Sequence, residues 1–423
     1  MKKRFLVLLM SVAMTVSTFA GGNTLTVRAE SDSSKSETPS IDGKTYYYDQ
    51  FENDAYKSVY DSIAEAAYKF HNSTANASQY VDINEKKTYT AFTVNVSKQD
   101  WDVINSGGLD RVIHAFYADH PEYFWLIPDC TYQAVSNGEK GSVFYQVSVY
   151  CYEDYANGNS RQVIKNNMDI EIANYVAKVS ADAPDYEKEY TIHNEIIDNI
   201  YYNTEADAYN SKDYWAGTID GVFNTSHKSA TSFGYAKAFK AVMDQLDVPC
   251  VYIQGNPKQS DETKDAVTYD SHAWNAVYIG GEWYLVDLAN DDPITTTGKD
   301  VLKYDHFNVT TEHASDLVPN KDFLSNIPDC TGTTYSVDKI REDLEDSGIW
   351  TKANYNFFDK ILDKYGVSVV LISIGIIIIL LVILIKKIHA RRIKSKQTKI
   401  KNTKVTVIES KELDEQLRRP PLL

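Results

Sequence analysis

From Ser232 to Leu246 the apolar residues Phe233, Ala236, Phe239, Val242, Met243 and Leu246 recur close to every 3.6 positions. That period predicts a helix with one buried face, with Thr231 or Ser232 as its N-cap. The same pattern predicts a helix within 45–70, on Phe51, Tyr56, Val59, Ile63, Ala66, Ala67 and Phe70, and two more over 160–179 and 184–202. Ser97 and Asp100 form a capping box that opens a helical region running to about Asp119. A period of two takes over at Val143, Tyr145, Val147 and Val149, which predicts a strand from Val143 to Tyr152. Residues 271–279 and 282–289 are β-rich runs separated only by Gly280-Gly281. Two glycines suit a two-residue turn in which both central positions need positive φ, so these runs predict a hairpin. Helices and antiparallel strands without a βαβ alternation place the chain in the α+β class.

The hairpin fixes a geometry. If the turn is Gly280-Gly281, Ile279 faces Glu282 and Asp287 faces Trp274. His272 lies on the same face as Trp274 and diagonal to Asp287, roughly 7–8 Å away at the backbone. One hydrogen bond closes that gap and lets the carboxylate fix the imidazole tautomer. Ser232, at the start of the predicted helix, points its hydroxyl into backbone N–H groups and the positive end of a helix dipole. Ser232, His272 and Asp287 therefore stand in the order of a nucleophile, base and orienter for acyl transfer.

These segments resemble the bacterial transglutaminase-like (transglutaminase/protease) superfamily. Its core reads roughly G-x-C-x-G-Y-A, then H-A-W-N, then a strand ending V-D-x-T-W-D-D-P. Gly234-Tyr235-Ala236, His272-Ala273-Trp274-Asn275, Val286-Asp287 and Asp291-Asp292-Pro293 match it. The likeness is strong over about 184–295, weaker over 45–183, and absent from the C-terminal quarter. It implies a papain-like core in which Ser232 occupies the position of the nucleophilic cysteine. Leu288-Ala289-Asn290 stands where x-Thr-Trp is usual, and Phe233 where a polar residue is usual. A thiol is partly ionised at neutral pH, whereas a serine hydroxyl needs concerted proton removal. The plain alternative for Ser232 is an ordinary N-cap, and for His272 and Asp287 a buried structural pair. Trp274, Trp283 and Tyr284 read as hairpin core, and Asp291-Asp292-Pro293 as a solvated turn.

The ends of the chain change the picture. Lys2-Lys3-Arg4 followed by apolar Phe5 to Val16 reads as a signal peptide over 1–29, with Ala20 and Ala29 as candidate cleavage ends. Residues 30–44 read as a flexible leader. Val367 to Ile385 is an aliphatic run broken only by Ser368, Ser373 and Gly375, long enough to span a bilayer as a helix. Lys386, Lys387, Arg391, Arg392, Lys394 and Lys396 follow at once, which predicts a cytoplasmic C-terminus and an extracellular N-terminal part. The whole chain carries a net charge of −16, and both ends are basic, so residues 30–385 are strongly acidic. An acidic ectodomain argues against nucleic acid as a partner. Four cysteines allow two disulfides, with Cys130 and Cys151 the expected pair and Cys250 a buried thiol. No metal-ligand spacing and no glycine-rich phosphate loop occurs, so no cofactor is inferred.

The expected organisation is an N-terminal α+β unit over 45–183, a transglutaminase-like core over 184–345, a stalk over 346–366, a transmembrane helix over 367–385 and a basic cytoplasmic tail over 386–423. The expected function is that of a membrane-anchored extracellular module that binds a peptide or protein segment in the cleft at Ser232, His272 and Asp287, at the bacterial cell surface. The alternative is a Ser-His-Asp hydrolase or acyltransferase that uses Ser232. The oligomeric state stays open.

Overall fold

The computed structural model describes residues 43–83, 86–137, 142–206, 213–257, 272–295, 297–322 and 324–418. The expected signal peptide and all but the end of the expected leader lie outside the described residues.

Two helices open the fold, α1 (Tyr46–Asp49) and α2 (Asp54–His71). A four-stranded antiparallel sheet follows, built from β1 (Ser78–Ile83), β2 (Lys86–Ser97), β3 (Leu126–Asn137) and β4 (Ser142–Tyr152) in the order β1-β2-β4-β3. Between β2 and β3 runs α3 (Lys98–Asp119), capped by Ser97, whose hydroxyl accepts the Asp100 N–H at 3.0 Å. The α2 and α3 helices pack on each other and on this sheet, and bury Val59, Ile63, Val112 and Phe116.

The chain then winds α4 (Gly158–Val176), α5 (Asp185–Asn199), β5 (Tyr201–Tyr202), α6 (Ile219–Phe223), β6 (Ser229–Ala230) and α7 (Ser232–Gln245). A second antiparallel sheet comes from β7 (Cys250–Pro257), β8 (His272–Ile279) and β9 (Glu282–Val286), with α8 (Leu288–Asp291) after them. The edge strand β10 (Leu317–Pro319) completes the order β10-β7-β8-β9. Against the inner face of β7 and β8 lies α7, nearly all of it buried. The 3.6-residue stripe of its sequence is therefore real core: Phe239, Val242 and Met243 are fully covered.

A short strap ties the start of the described chain to α3, α7 and β7. Asp119 at the end of α3 accepts the N–H groups of Tyr47 and Tyr48, each at 3.0 Å. The Tyr47 hydroxyl donates to the Tyr252 carbonyl on β7, and the Lys240 ammonium of α7 donates to the Gly43 carbonyl at 2.8 Å. A Cβ on Gly43 would lie 2.4 Å from the Cys250 backbone nitrogen, so only glycine lets the strap pass this close.

None of the four cysteines is in a disulfide. The expected Cys130–Cys151 pair fails on register: Cys130 faces Val149, and Cys151 faces Leu126, on either side of an irregularity in the β3–β4 ladder. Burial pushes the thiols of Cys130, Cys151 and Cys330 up to about 12.

Beyond the core come α9 (Val337–Asp346), α10 (Phe357–Tyr365) and α11 (Val367–Leu417). One stretch of α11, beginning at Val367, is apolar and long enough to cross a membrane, and none of it is buried in the protein. It does not stop at Ile385. The helix continues through the basic segment, because lysine, arginine, glutamine and isoleucine there offer no breaker.

Candidate active site

The β8–β9 hairpin closes on Gly280 and Gly281, at φ +59° and +93°. Ile279 faces Glu282, and the register runs without a shift to Asn275 opposite Val286. One residue further on, the strand ends and Asp287 becomes the N-cap of α8. Its backbone N–H donates to the His306 carbonyl at 3.0 Å, and its Oδ1 accepts the N–H of Asn290 at 3.1 Å. This double role fixes where the carboxylate sits.

His272, the first residue of β8, reaches it: Nε2 lies 2.6 Å from Asp287 Oδ2. The carboxylate is fully buried, whereas the His272 side chain keeps 13% of its surface exposed. The Trp274 ring stacks near the imidazole, 6.0 Å between centroids, on the face the register requires. With Nε2 engaged by the carboxylate, Nδ1 is the nitrogen through which a nucleophile would exchange a proton.

Ser232 is the first helical residue of α7, and its residue surface is 0% exposed. Its Oγ has no hydrogen-bond partner. The N-cap is Thr231, yet its hydroxyl donates to the Ala216 carbonyl at 3.4 Å and caps no helix N–H. The helix start is held instead by close approach: a Cβ on Gly234 would lie 2.4 Å from the Ala216 carbonyl oxygen. Asn275 braces the other side, its Nδ2 donating to the Ala236 carbonyl at 3.0 Å. The structure thus joins His272 to Asp287 directly, and leaves Ser232 in the covered interface of α7 with no bond to the histidine.

Two features were not visible in the spacing of the motif. Asn290 donates from Nδ2 to Asp287 Oδ2 at 2.8 Å, so the same oxygen serves both His272 and Asn290. Aspartate followed three residues later by asparagine is a helix-start pattern, and that signal was available in the sequence.

The second feature corrects the expected solvated turn. Asp291 is fully buried between His193 of α5 and His306, at 3.4 and 3.6 Å. Burial works against its charge, but the two imidazoles outweigh it and hold the carboxyl below its ordinary range. Asp292 is covered too, with the Tyr235 hydroxyl 2.5 Å away, and burial pushes it up to about 7. A turn that looks polar in sequence is buried because α5, α7 and the 303–306 segment close over it. Cys250 is sealed under the Lys240 side chain, and burial pushes its thiol well above the ordinary range, so it is no substitute nucleophile. Among the described residues no group of three or more histidine, cysteine or acidic side chains is placed to hold a metal ion.

The family model of the transglutaminase-like superfamily matches residues 173–288, a stretch that contains α5, α7, the hairpin, Ser232, His272 and Asp287. A mouse (Mus musculus) protein, kyphoscoliosis peptidase, is 32% identical over 123 residues, 28% of this chain and 18% of that protein. The chain therefore spans less than a fifth of that relative's length. Two solved structures are also similar. One is a transglutaminase (TGase), at 15% identity, covering 37% of this chain and 44% of that one with a TM-score of 0.24. The other is the periplasmic domain of TgpA from Pseudomonas aeruginosa, at 18% identity, covering 35% and 54% with a TM-score of 0.22.

Proposed function

Starting from a chain that carries a transglutaminase-like superfamily domain, we propose that Ser232 stands where such domains hold their nucleophilic cysteine, and that the domain binds a peptide or protein segment without processing it. The observation that carries this reading is the contrast within the site. The His272–Asp287 pair is assembled at 2.6 Å, while the Ser232 hydroxyl is fully covered and bonds to nothing. A serine acts as a nucleophile only if a base removes its proton as it attacks, and that needs a hydrogen bond to the base. In this structure the Ser232 hydroxyl makes no such bond. The partly exposed His272, flanked by Trp274 and fixed by a buried carboxylate, offers a rigid polar contact for a peptide backbone in the cleft. The proposal places this cleft outside the cell: the apolar stretch of α11 anchors the protein in the membrane, and the basic residues after Ile385 stay in the cytoplasm.

The test is a fluorophosphonate probe on the purified protein, with His272→Ala as control. No labelling of Ser232 is the expected result. Labelling that disappears in the His272→Ala variant would replace this reading with the alternative, a Ser-His-Asp hydrolase or acyltransferase.

A further inference from the structure

A second site lies elsewhere, and shares no residue with the His272–Asp287 pair. A cavity of about 350 Å³ opens between the loop joining α1 to α2, the middle of α3 and residues 325–326. Arg111 of α3 lines it, half-buried. Its guanidinium carbon lies 5.4 Å from the centre of the Tyr56 ring, and its Nη2 donates to the Ser325 hydroxyl at 3.0 Å. Among the described residues it has no carboxylate partner, in a protein whose acidic middle supplies many. The planar donor fork is therefore held by neutral groups and keeps most of its N–H groups unspent.

The walls are fixed. Tyr56 stacks on Phe51, 5.2 Å between centroids, and its hydroxyl presses on Gly108, where a Cβ would lie 2.9 Å away. Gly108 comes just after Asn105, where α3 kinks at φ +50°. On the far side the Asn326 carbonyl accepts the Tyr46 hydroxyl at 2.7 Å. Gln50 and Asn326 contribute amides to the lining, and the acidic Glu52 stands exposed at the rim.

We propose that this cavity binds the free carboxylate of a peptide or acylated amino acid, with an apolar side chain against Phe51 and Tyr56. The guanidinium fork matches a carboxylate in two parallel hydrogen bonds. The aromatic wall supplies apolar area, and the amides suit a peptide group. Glu52 disfavours a dianion such as phosphate, which would meet a second negative charge.

The experiment titrates the detergent-solubilised full chain with N-acetyl-phenylalanine, with its neutral methylamide and with inorganic phosphate, by calorimetry. The acid should bind better than the amide. Arg111→Gln should weaken the acid by roughly tenfold or more, as the loss of a charge-assisted hydrogen bond implies, and leave the amide unchanged. Tyr56→Leu, which keeps the charge, should weaken both ligands, and covers the case in which the arginine variant does not fold. Equal binding of acid and amide, acid affinity indifferent to Arg111→Gln, phosphate competing as well as the acid, or no binding of the acid at millimolar concentration would each overturn the assignment. His272→Ala should leave the titration unchanged, so failure here and failure of the Ser232 reading are separate results.

Discussion

A hydroxyl buried without a partner costs folding energy, about 1–3 kcal/mol for a polar group that has lost its water. Ser232 carries such a hydroxyl. Ser232→Ala should therefore leave the thermal midpoint unchanged or raise it, whereas a hydroxyl bonded to a base would give a drop. Ser232→Cys tests the same position chemically. In the folded protein its thiol should react with iodoacetamide no faster than the sealed Cys250, and a fast, His272-dependent rate would show that sulfur alone is missing. Glu189 gives the pH prediction. It is fully buried on α5, takes one hydrogen bond from Asn308 at 2.8 Å, and burial pushes its carboxyl up to about 8. A carboxyl raised in the folded state stabilises the protein fully below its ordinary pKa and loses that contribution as pH rises from there to about 8. Glu189→Gln should match the parent near pH 4 and exceed it above pH 8 by an amount on the order of a few kcal/mol, read by denaturant melts at both values. At this scale the sequence was legible where the partner is close. His272 and Asp287 could be paired from a two-residue turn, but Asp291 meets His193 from nearly a hundred residues earlier, and no local pattern announces that.

At the scale of elements, turns and caps were the readable part. Ser97 caps α3 as its spacing requires, and Gly280-Gly281 sets the hairpin register on which the His272–Asp287 contact depends. Replacing both glycines with valine should cost several kcal/mol, since a β-branched residue is strained at positive φ. The two positions should differ when tested singly. A Cβ at Gly280 would lie 2.4 Å from the Tyr335 ring, whereas nothing stands within 4 Å at Gly281. Gly280→Ala should thus lower the melting temperature more than Gly281→Ala, and equal losses would mean that backbone strain alone decides. The expected disulfide fails for a reason of the same kind. The two cysteines bracket a strand in sequence, but an irregular ladder sets them against other partners.

For the whole molecule, the sequence already separated an acidic globular part from an apolar helix and a basic end. It did not reveal how the strap at Gly43–Tyr48 laces α3, α7 and β7 together, because those contacts join residues about 70 to 200 positions apart. The proposed topology predicts that protease added to intact cells removes the ectodomain and leaves a membrane fragment ending at Leu423. A fully protected chain would refute it. The proposed anchor has one more property. At 51 residues α11 is about 77 Å long, more than twice the ~30 Å thickness of a bilayer's hydrocarbon layer. Gly366, at φ +75°, breaks the helix immediately before it. Such an arrangement is a shaft with its joint at one end. Under the proposed topology the rod leaves the bilayer as one unbroken helix, first through the basic stretch 386–404 and then through an end where Glu409, Glu412, Asp414 and Glu415 outnumber Lys411.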